Sequence, residues 1–373
     1  MIKIGFDAKH IFQESSGVGN YGRSTVELLS RYYSENEYTL ISGFYENRVN
    51  FSIPKGVKVV QPKGFLGSIS PPIWRDCAMS SDIRRSRVDI YHGLANQLPL
   101  DIRSGGAKSV VTIHDLIFLR YPNLYPKMQR TIMEWRYKKS CSKADMILAT
   151  SHQTKNDLME FWQIPSERIE VVYQGCNPIY YQEVSEEVKE RVRNRYKLPE
   201  KYILSIGVIE ERKNLMLTLH AISEGKIDVP LVACGRWTPY VDKLKLFASQ
   251  AGIADKVHFY HDCELEELPA IYKMASVVVY ISLFEGFGIP ILESLSCGTP
   301  IITSKGGVFD EISGDAALQV GPYDMEELIV QLRKVISEKE YRNQLIERGY
   351  KHIENFHDSK IADNLMALYD KMA

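Results

Sequence analysis

Short apolar runs rich in β-branched residues alternate with longer segments of helical period along the whole chain, and this alternation limits the possible folds more than any other feature. In the first half the runs are IKIGFDA, EYTLISGFY, VKVVQP, VDIYHG, KSVVTIHD, ADMILATS and IEVVYQG. Runs that are apolar at nearly every position describe strands buried on both faces, and strands separated by helices run parallel, with helices over both sides of the sheet. A second series starts afresh with KYILSIGV and continues through PLVACGR, KVHFYHD, SVVVYIS, TPIITSK and ALQVG. Between the series lies the charged stretch NPIYYQEVSEEVKERVRNRYKLPEK, which places a domain boundary near residue 185. At 373 residues the chain exceeds what one ordinary core holds. The pattern therefore predicts an α/β protein of two doubly wound, Rossmann-like domains, 1–185 and 186–355. Ligands of such sheets bind at the carboxyl ends of strands, so two domains facing each other would share a central cleft.

With 45% hydrophobic and 25% charged residues the composition is that of a soluble globular protein. The net charge of -1 hides an asymmetry: residues 1–185 carry 23 Lys and Arg against 18 Asp and Glu, and the remainder carries 23 against 29. This fits either a front half that meets an acidic or membrane-surface partner or ordinary solvated faces, and no nucleic-acid partner is expected. Six cysteines, none in a C-x-x-C pair, argue against a zinc knuckle and for a reducing compartment. The amino terminus reads as a strand rather than a secretion signal, and the most apolar stretch, MASVVVYISLF, is far short of the ~20 residues a membrane helix needs. A cytoplasmic protein is expected.

Several loops carry candidate chemistry. In SSGVGNYGRS, Gly17, Gly19 and Gly22 spell the G-x-G-x-x-G of dinucleotide-binding proteins, which keeps an NAD-dependent oxidoreductase among the readings, with Glu46 as the acidic partner. Nine residues separate the first strand from Gly17, however, where that fingerprint needs direct strand-to-glycine passage. These glycines can still offer backbone N–H groups to an anion. In IGVIEERKNL, Gly207 ends a strand, and Glu211, Arg212, Lys213 and Asn214 open a helix, where two cations suit a phosphate. In SLFEGFGIPILESLSCGTPIITS, Glu285 stands at a helix mouth, Gly286 and Gly288 allow close backbone approach, and Glu293 lies one turn inside. Carboxylates suit sugar and ribose hydroxyls, since each can accept two hydrogen bonds. His114 and Asp115 end an apolar strand, where an imidazole can bond a substrate hydroxyl, and His92 and Asn96 are similarly placed.

Together GVGNYGRS, TIHD, ATSHQTKNDL, IGVIEERKNL, the E-x(7)-E pair Glu285 and Glu293, and CGTPII resemble, in order and spacing, the family 4 (group 1) retaining glycosyltransferases of GT-B fold. GVGNYGR and TIHDLIFLRYP are most similar to its mannosyltransferase-like members. The resemblance implies a hexosyltransferase that moves a sugar, mannose from GDP-mannose first, from a nucleotide donor to a glycan or lipid-linked saccharide, forming an α-glycoside. A sugar-nucleotide epimerase of the same architecture is the alternative. Arg212 and Lys213 would bind the donor diphosphate in place of a metal, and the chain has no D-x-D motif, so no metal or other cofactor is expected. Glu293 would hold the ribose, Glu285 the donor sugar with the N–H groups of Phe287, Gly288 and Ile289, and Cys263, Glu264 and Leu265 the base. Gly17 and Gly19 would touch the phosphates, His114 the sugar near its reacting carbon, and Asn20, Tyr21 and Arg23 the acceptor. The last helix, within 356–373, would pack back on the first domain. Arg75, Arg84, Arg85, Arg87 and the stretch KMQRTIMEWRYKKS, containing Lys127, Arg130, Trp135, Arg136, Lys138 and Lys139, offer a basic, apolar-interleaved face to the inner surface of an anionic membrane, or form an ordinary solvated helix.

Overall fold

The computed structural model describes every residue except 15, 44–45, 63–69 and 262, and leaves aside the side chains of Pro71 and Pro72. The chain forms two compact units, Met1–Gly175 with His357–Ala373, and Cys176–Phe356. The first crossing precedes the charged stretch, because Cys176 and Tyr180 pack within the second unit. Buried Cys176 lies 3.3 Å from Ser296 Oγ, and Tyr180 packs edge-on against Tyr272 with ring centres 5.7 Å apart. The charged residues that follow form a separate helix, Glu186–Tyr196, capped by Ser185.

Every apolar run becomes a strand. The first unit holds β1 (Lys3–Asp7), β2 (Glu37–Ile41), β3 (Lys58–Val60), β4 (Ile90–Gly93), β5 (Lys108–Ile113), β6 (Met146–Ala149) and β7 (Ile169–Val171). The second holds β8 (Ile203–Ile206), β9 (Leu231–Cys234), β10 (Val257–Tyr260), β11 (Val277–Tyr280), β12 (Ile301–Ser304) and β13 (Leu318–Val320). Among the described residues the sheets are wholly parallel, ordered β3-β2-β1-β4-β5-β6-β7 and β10-β9-β8-β11-β12-β13. Both are doubly wound, and each reverses direction once, between β1 and β4 and between β8 and β11. Such a reversal is where ligands of these folds lodge.

Alternation along each strand supplies two core layers per sheet. In β5, Val110 joins Ile4, Phe6 and Leu148 on one face, while Val111 and Ile113 join Tyr91, Ile147 and Ala149 on the other. The carboxyl-terminal helix Asp358–Asp370 completes the first of these layers with Ile361, Leu365, Met366 and Tyr369.

Candidate active site

At the reversal of the second sheet, the loops after β8 and β11 are stitched together. Gly207 leaves β8 at φ +123°, and the chain then makes a 3-10 turn, Glu211–Lys213. The cations therefore do not open a helix, as expected, but stand one turn before it. Asn214, left-handed at φ +57° with its amide nitrogen 2.7 Å from Pro322 O, redirects the chain into the helix Leu215–Glu224. Leu283 N donates to Arg212 O at 2.8 Å, and Arg212 Nη1 donates to Phe284 O at 2.6 Å.

This stitching brings both cations to one carboxylate. Glu285 Oε1 lies 2.8 Å from Arg212 Nη1 and 2.6 Å from Lys213 Nζ. Arg212 Nη2 also reaches Glu210, at 2.7 Å, and Lys213 Nζ lies 4.9 Å from the centre of the Tyr280 ring. Burial alone would raise the Glu285 pKa, but Lys213 and Arg212 outweigh it and hold the carboxyl down to about 2. Burial lowers the Lys213 pKa, against the pull of Glu285. Beyond the carboxylate, Gly288 at φ +104° turns the chain into the helix Ile289–Ser296, with Pro290 in its first turn and Phe287 buried against Phe356.

Glu293 has different partners. Tyr272 donates to its Oε2 at 2.7 Å and Tyr180 also bonds it, while burial raises its pKa. The loop after β10 is exposed at Glu264 and Leu265. Glu264 pairs with Arg195 and its N–H reaches Tyr196 Oη at 3.3 Å, and Cys263 forms a thiol contact with Cys234.

In the first unit, the residues between β1 and the glycines form a helix, Lys9–Gln13, with Ile11 and Phe12 buried. Gly17 and Gly19 lie in the first turn of the helix Gly17–Tyr32. A Cβ on Gly19 would stand 2.1 Å from Glu14 O, whereas one on Gly17 would meet nothing within 4 Å. Gly19 thus serves chain packing, and the dinucleotide reading loses its geometry. Glu46 bonds neighbouring Arg48 at the surface. Of the three acceptor candidates, Tyr21 is 6% exposed, bonded to Thr112 Oγ1 at 3.1 Å and packed on His114. Arg23 donates to Ile11 O and Glu14 O at 2.7 and 2.9 Å and to Asn20 Oδ1 at 2.5 Å. Tyr21 thus ties its helix to β5, and Arg23 ties the same helix to Lys9–Gln13.

His114 is buried, with its backbone N–H on Asn96 Oδ1 at 2.7 Å and Nε2 on Leu94 O at 2.8 Å. A carbonyl only accepts, so Nε2 carries the proton and Nδ1 the lone pair. Burial lowers its pKa to about 4, leaving a neutral imidazole at neutral pH. His92 is enclosed between Tyr369 Oη and Thr112 Oγ1, both at 2.7 Å, and ties the carboxyl-terminal helix to the sheet.

Residues 16–179 match the family described as glycosyltransferase family 4, and residues 187–352 match glycosyl transferases group 1. The chain is a family 4, group 1 glycosyltransferase. It is 28% identical over 272 residues to O-antigen chain mannosyltransferase B of Escherichia coli, covering 72% of this chain and 70% of that one. It is 29% identical over 219 residues to the O-antigen chain mannosyltransferase RfbU of Salmonella typhimurium, 57% of each chain, so the match spans little more than half of that relative. The structure resembles the sucrose-phosphate synthase of Thermosynechococcus elongatus at TM-score 0.78 and 18% identity, covering 100% of this chain and 99% of that one. It also resembles the Anabaena protein HepE in complex with UDP and glucose at TM-score 0.77 and 16% identity, covering 100% of each. The glycosyltransferase therefore has the GT-B fold, and the epimerase alternative is not favoured.

Three ion pairs of the glycosyltransferase correct the reading of its basic segments. Arg75 is no surface charge: it is buried against Asp7, with Nη2 2.5 Å from Oδ2. Arg136 turns inward to Asp76 at 2.7 Å, and Arg85 pairs with Asp82 at 2.6 Å. No sequence motif announces the Asp7–Arg75 pair; the available signal was an aspartate ending the first buried strand, where a bare carboxylate requires a cation.

Proposed function

We propose that the glycosyltransferase moves mannose from GDP-mannose to a glycan or lipid-linked saccharide, without a metal ion and with retention, so that an α-glycoside forms. The observation that carries this reading is the convergence of Arg212 and Lys213 on Glu285 where the second sheet reverses. Two cations fixed by a shared carboxylate are preorganised to take the donor diphosphate and to neutralise charge that builds as it leaves. Glu285 then orients hydroxyls of the donor sugar, and Glu293, braced by Tyr272, is the ribose acceptor. The acceptor hydroxyl attacks the anomeric carbon from the face the nucleotide leaves, and a leaving phosphate oxygen takes the proton. The mannosyltransferase names of the relatives support the sugar, and the UDP in HepE supports a nucleoside diphosphate.

Thermal-shift titration with GDP, UDP, ADP and NAD, followed by donor turnover, tests the reading. GDP should stabilise most, and stabilisation by NAD alone would overturn it. In Lys213→Ala, kcat should fall by ~10²-fold with little change in KM, because the charge acts mainly on the leaving group; unchanged kcat removes that role.

A peripheral membrane contact at the inner, cytoplasmic face is favoured by one observation. On the helix Lys127–Lys143, Met128, Ile132 and Trp135 are 77%, 49% and 53% exposed and form one stripe, and Lys127, Lys138 and Lys139 are exposed beside it. No helix among the described residues is long and apolar enough to cross a membrane.

A further inference from the structure

β11 ends on Tyr280, a buried residue whose hydroxyl enters the cluster around Glu285. Val277, Val279 and Ile281 fill the core on one face of this strand, so the alternation of side chains sends Tyr280 to the other. There Phe309, in the helix Val308–Ser313, meets its ring edge-on with centres 6.1 Å apart. The Gly288 turn runs beside the same ring, and a Cβ on Gly288 would stand 3.8 Å from Tyr280 Cε1. A tyrosine has only two side-chain torsions, so a ring held in this way fixes its hydroxyl. We infer that Tyr280 is a positioning residue for the transfer step, acting through Lys213 by fixing the direction of the one N–H group that its ammonium keeps for the donor diphosphate. The inference rests on the donor reading above and adds to it the residue that aims the cation.

An ammonium group has three N–H donors and no acceptor. Lys213 Nζ gives one to Glu285 Oε1 at 2.6 Å and one to Tyr280 Oη at 3.2 Å. Nζ lies 4.9 Å from the ring centre, so the oxygen, not the ring face, is the nearer partner. Two bonds on a tetrahedral nitrogen leave the third N–H a single direction, whereas one bond would leave it free to turn about that axis. The Tyr280 hydroxyl in turn donates to Glu285, because a carboxylate only accepts. Tyr280 thus closes a ring of three hydrogen bonds and adds no charge to it. Glu285 also anchors Lys213, but as an anion it repels the diphosphate that the cations are to receive. Tyr280 holds the ammonium without that repulsion, so Lys213 keeps its aim when Glu285 gives its acceptors to the donor sugar. Lys213 and Glu285 stand in loops, whereas Tyr280 stands on a strand, and a group on a regular element holds its geometry more closely.

A double-mutant cycle of Tyr280→Phe and Lys213→Ala in the full chain tests the assignment, read by the affinity of GDP and UDP in calorimetry and by nucleotide release from GDP-mannose and UDP-glucose. Phenylalanine keeps the ring and its packing on Phe309, and a thermal melt shows that each variant is folded. Tyr280→Phe alone should lower kcat about tenfold with KM within about twofold, and weaken nucleoside diphosphate binding about fivefold, because a misaimed cation loses most where the charge on the phosphate is fully developed. In the Lys213→Ala background the same change should alter neither quantity, since the group it aims is gone. Equal losses in both backgrounds would show that Tyr280 only packs, and no loss in the wild-type background would show that Glu285 alone aims Lys213. Either result overturns the assignment and leaves the donor reading standing. Wild-type protein that neither binds nor releases either nucleotide refutes the donor reading, and with it the role given to Tyr280.

Discussion

Glu285 is poised between burial, which favours its neutral form, and two cations that hold it charged down to about pH 2. Its pKa is depressed from the ordinary 4.5, so the stability it contributes is present above pH 4.5 and is lost as pH falls toward 2. The shift corresponds to roughly 3 kcal/mol. Denaturant unfolding of the wild type should therefore show a falling free energy between pH 5 and 2, and Glu285→Gln should be less stable at pH 7 and lack that segment of the fall. An identical pH profile in both proteins would show that the ion cluster contributes no net stability. The opening glycines allow a second prediction at this scale. Gly19→Ala pushes a methyl group into Glu14 O and should cost about 1–3 kcal/mol in a thermal or denaturant melt. Gly17→Ala meets empty space and should leave the melt unchanged, so any loss of donor turnover in it reports ligand contact alone. The E-x(7)-E spacing singles out both glutamates in the sequence, but not their separate partners. Glu285 lies before the helix and faces the cations, whereas Glu293 lies within it and is turned to Tyr272 and Tyr180.

Among the elements, the helix Asp358–Asp370 is the best placed to test cohesion of the first unit, because it supplies a core layer from the far end of the sequence. Tyr369 is fully buried and its hydroxyl reaches His92 Nδ1. Tyr369→Phe leaves a buried imidazole nitrogen without that partner, which should lower unfolding free energy by about 1–3 kcal/mol. Removal of residues 358–373 exposes the faces that Ile361, Leu365 and Met366 cover, and should yield protein that aggregates or is cut rapidly by trypsin. A shortened chain with an unaltered melting temperature would refute the structural role of the helix. Strands such as β5 and β11 were legible because continuous β-branched runs have few alternatives in an α/β chain. The helix Lys9–Gln13 was not, since five residues carry no measurable period and its stability comes from Ile11 and Phe12 in the core. The 3-10 turn at Arg212 escaped for a similar reason: left-handed Asn214 breaks what reads as a continuous helix start.

For the molecule as a whole, charge and exposure have to be considered together. Counting lysines and arginines over the first half suggested a broad basic face, yet Arg75 finds Asp7 across 68 positions and Arg136 finds Asp76 across 60, pairings that no local pattern displays. What remains outward is Arg84, Arg85 and Arg87 and, on another helix, Lys127, Lys138 and Lys139 beside the stripe of Met128, Ile132 and Trp135. Three lysines near an anionic surface contribute about 1 kcal/mol each, so the electrostatic part is roughly a hundredfold in partitioning and the apolar stripe must supply the rest. The two parts respond differently to salt, because the screening length shrinks from ~10 Å at 0.1 M to ~3 Å at 1 M while apolar insertion is not screened. The glycosyltransferase should float with phosphatidylglycerol-containing vesicles at 0.1 M salt, release largely at 1 M, and bind weakly to phosphatidylcholine alone. Lys138→Glu combined with Lys139→Glu should flatten the salt dependence, whereas Trp135→Glu should weaken binding at both salt concentrations. If flotation fails at 0.1 M salt, the stripe has no lipid partner.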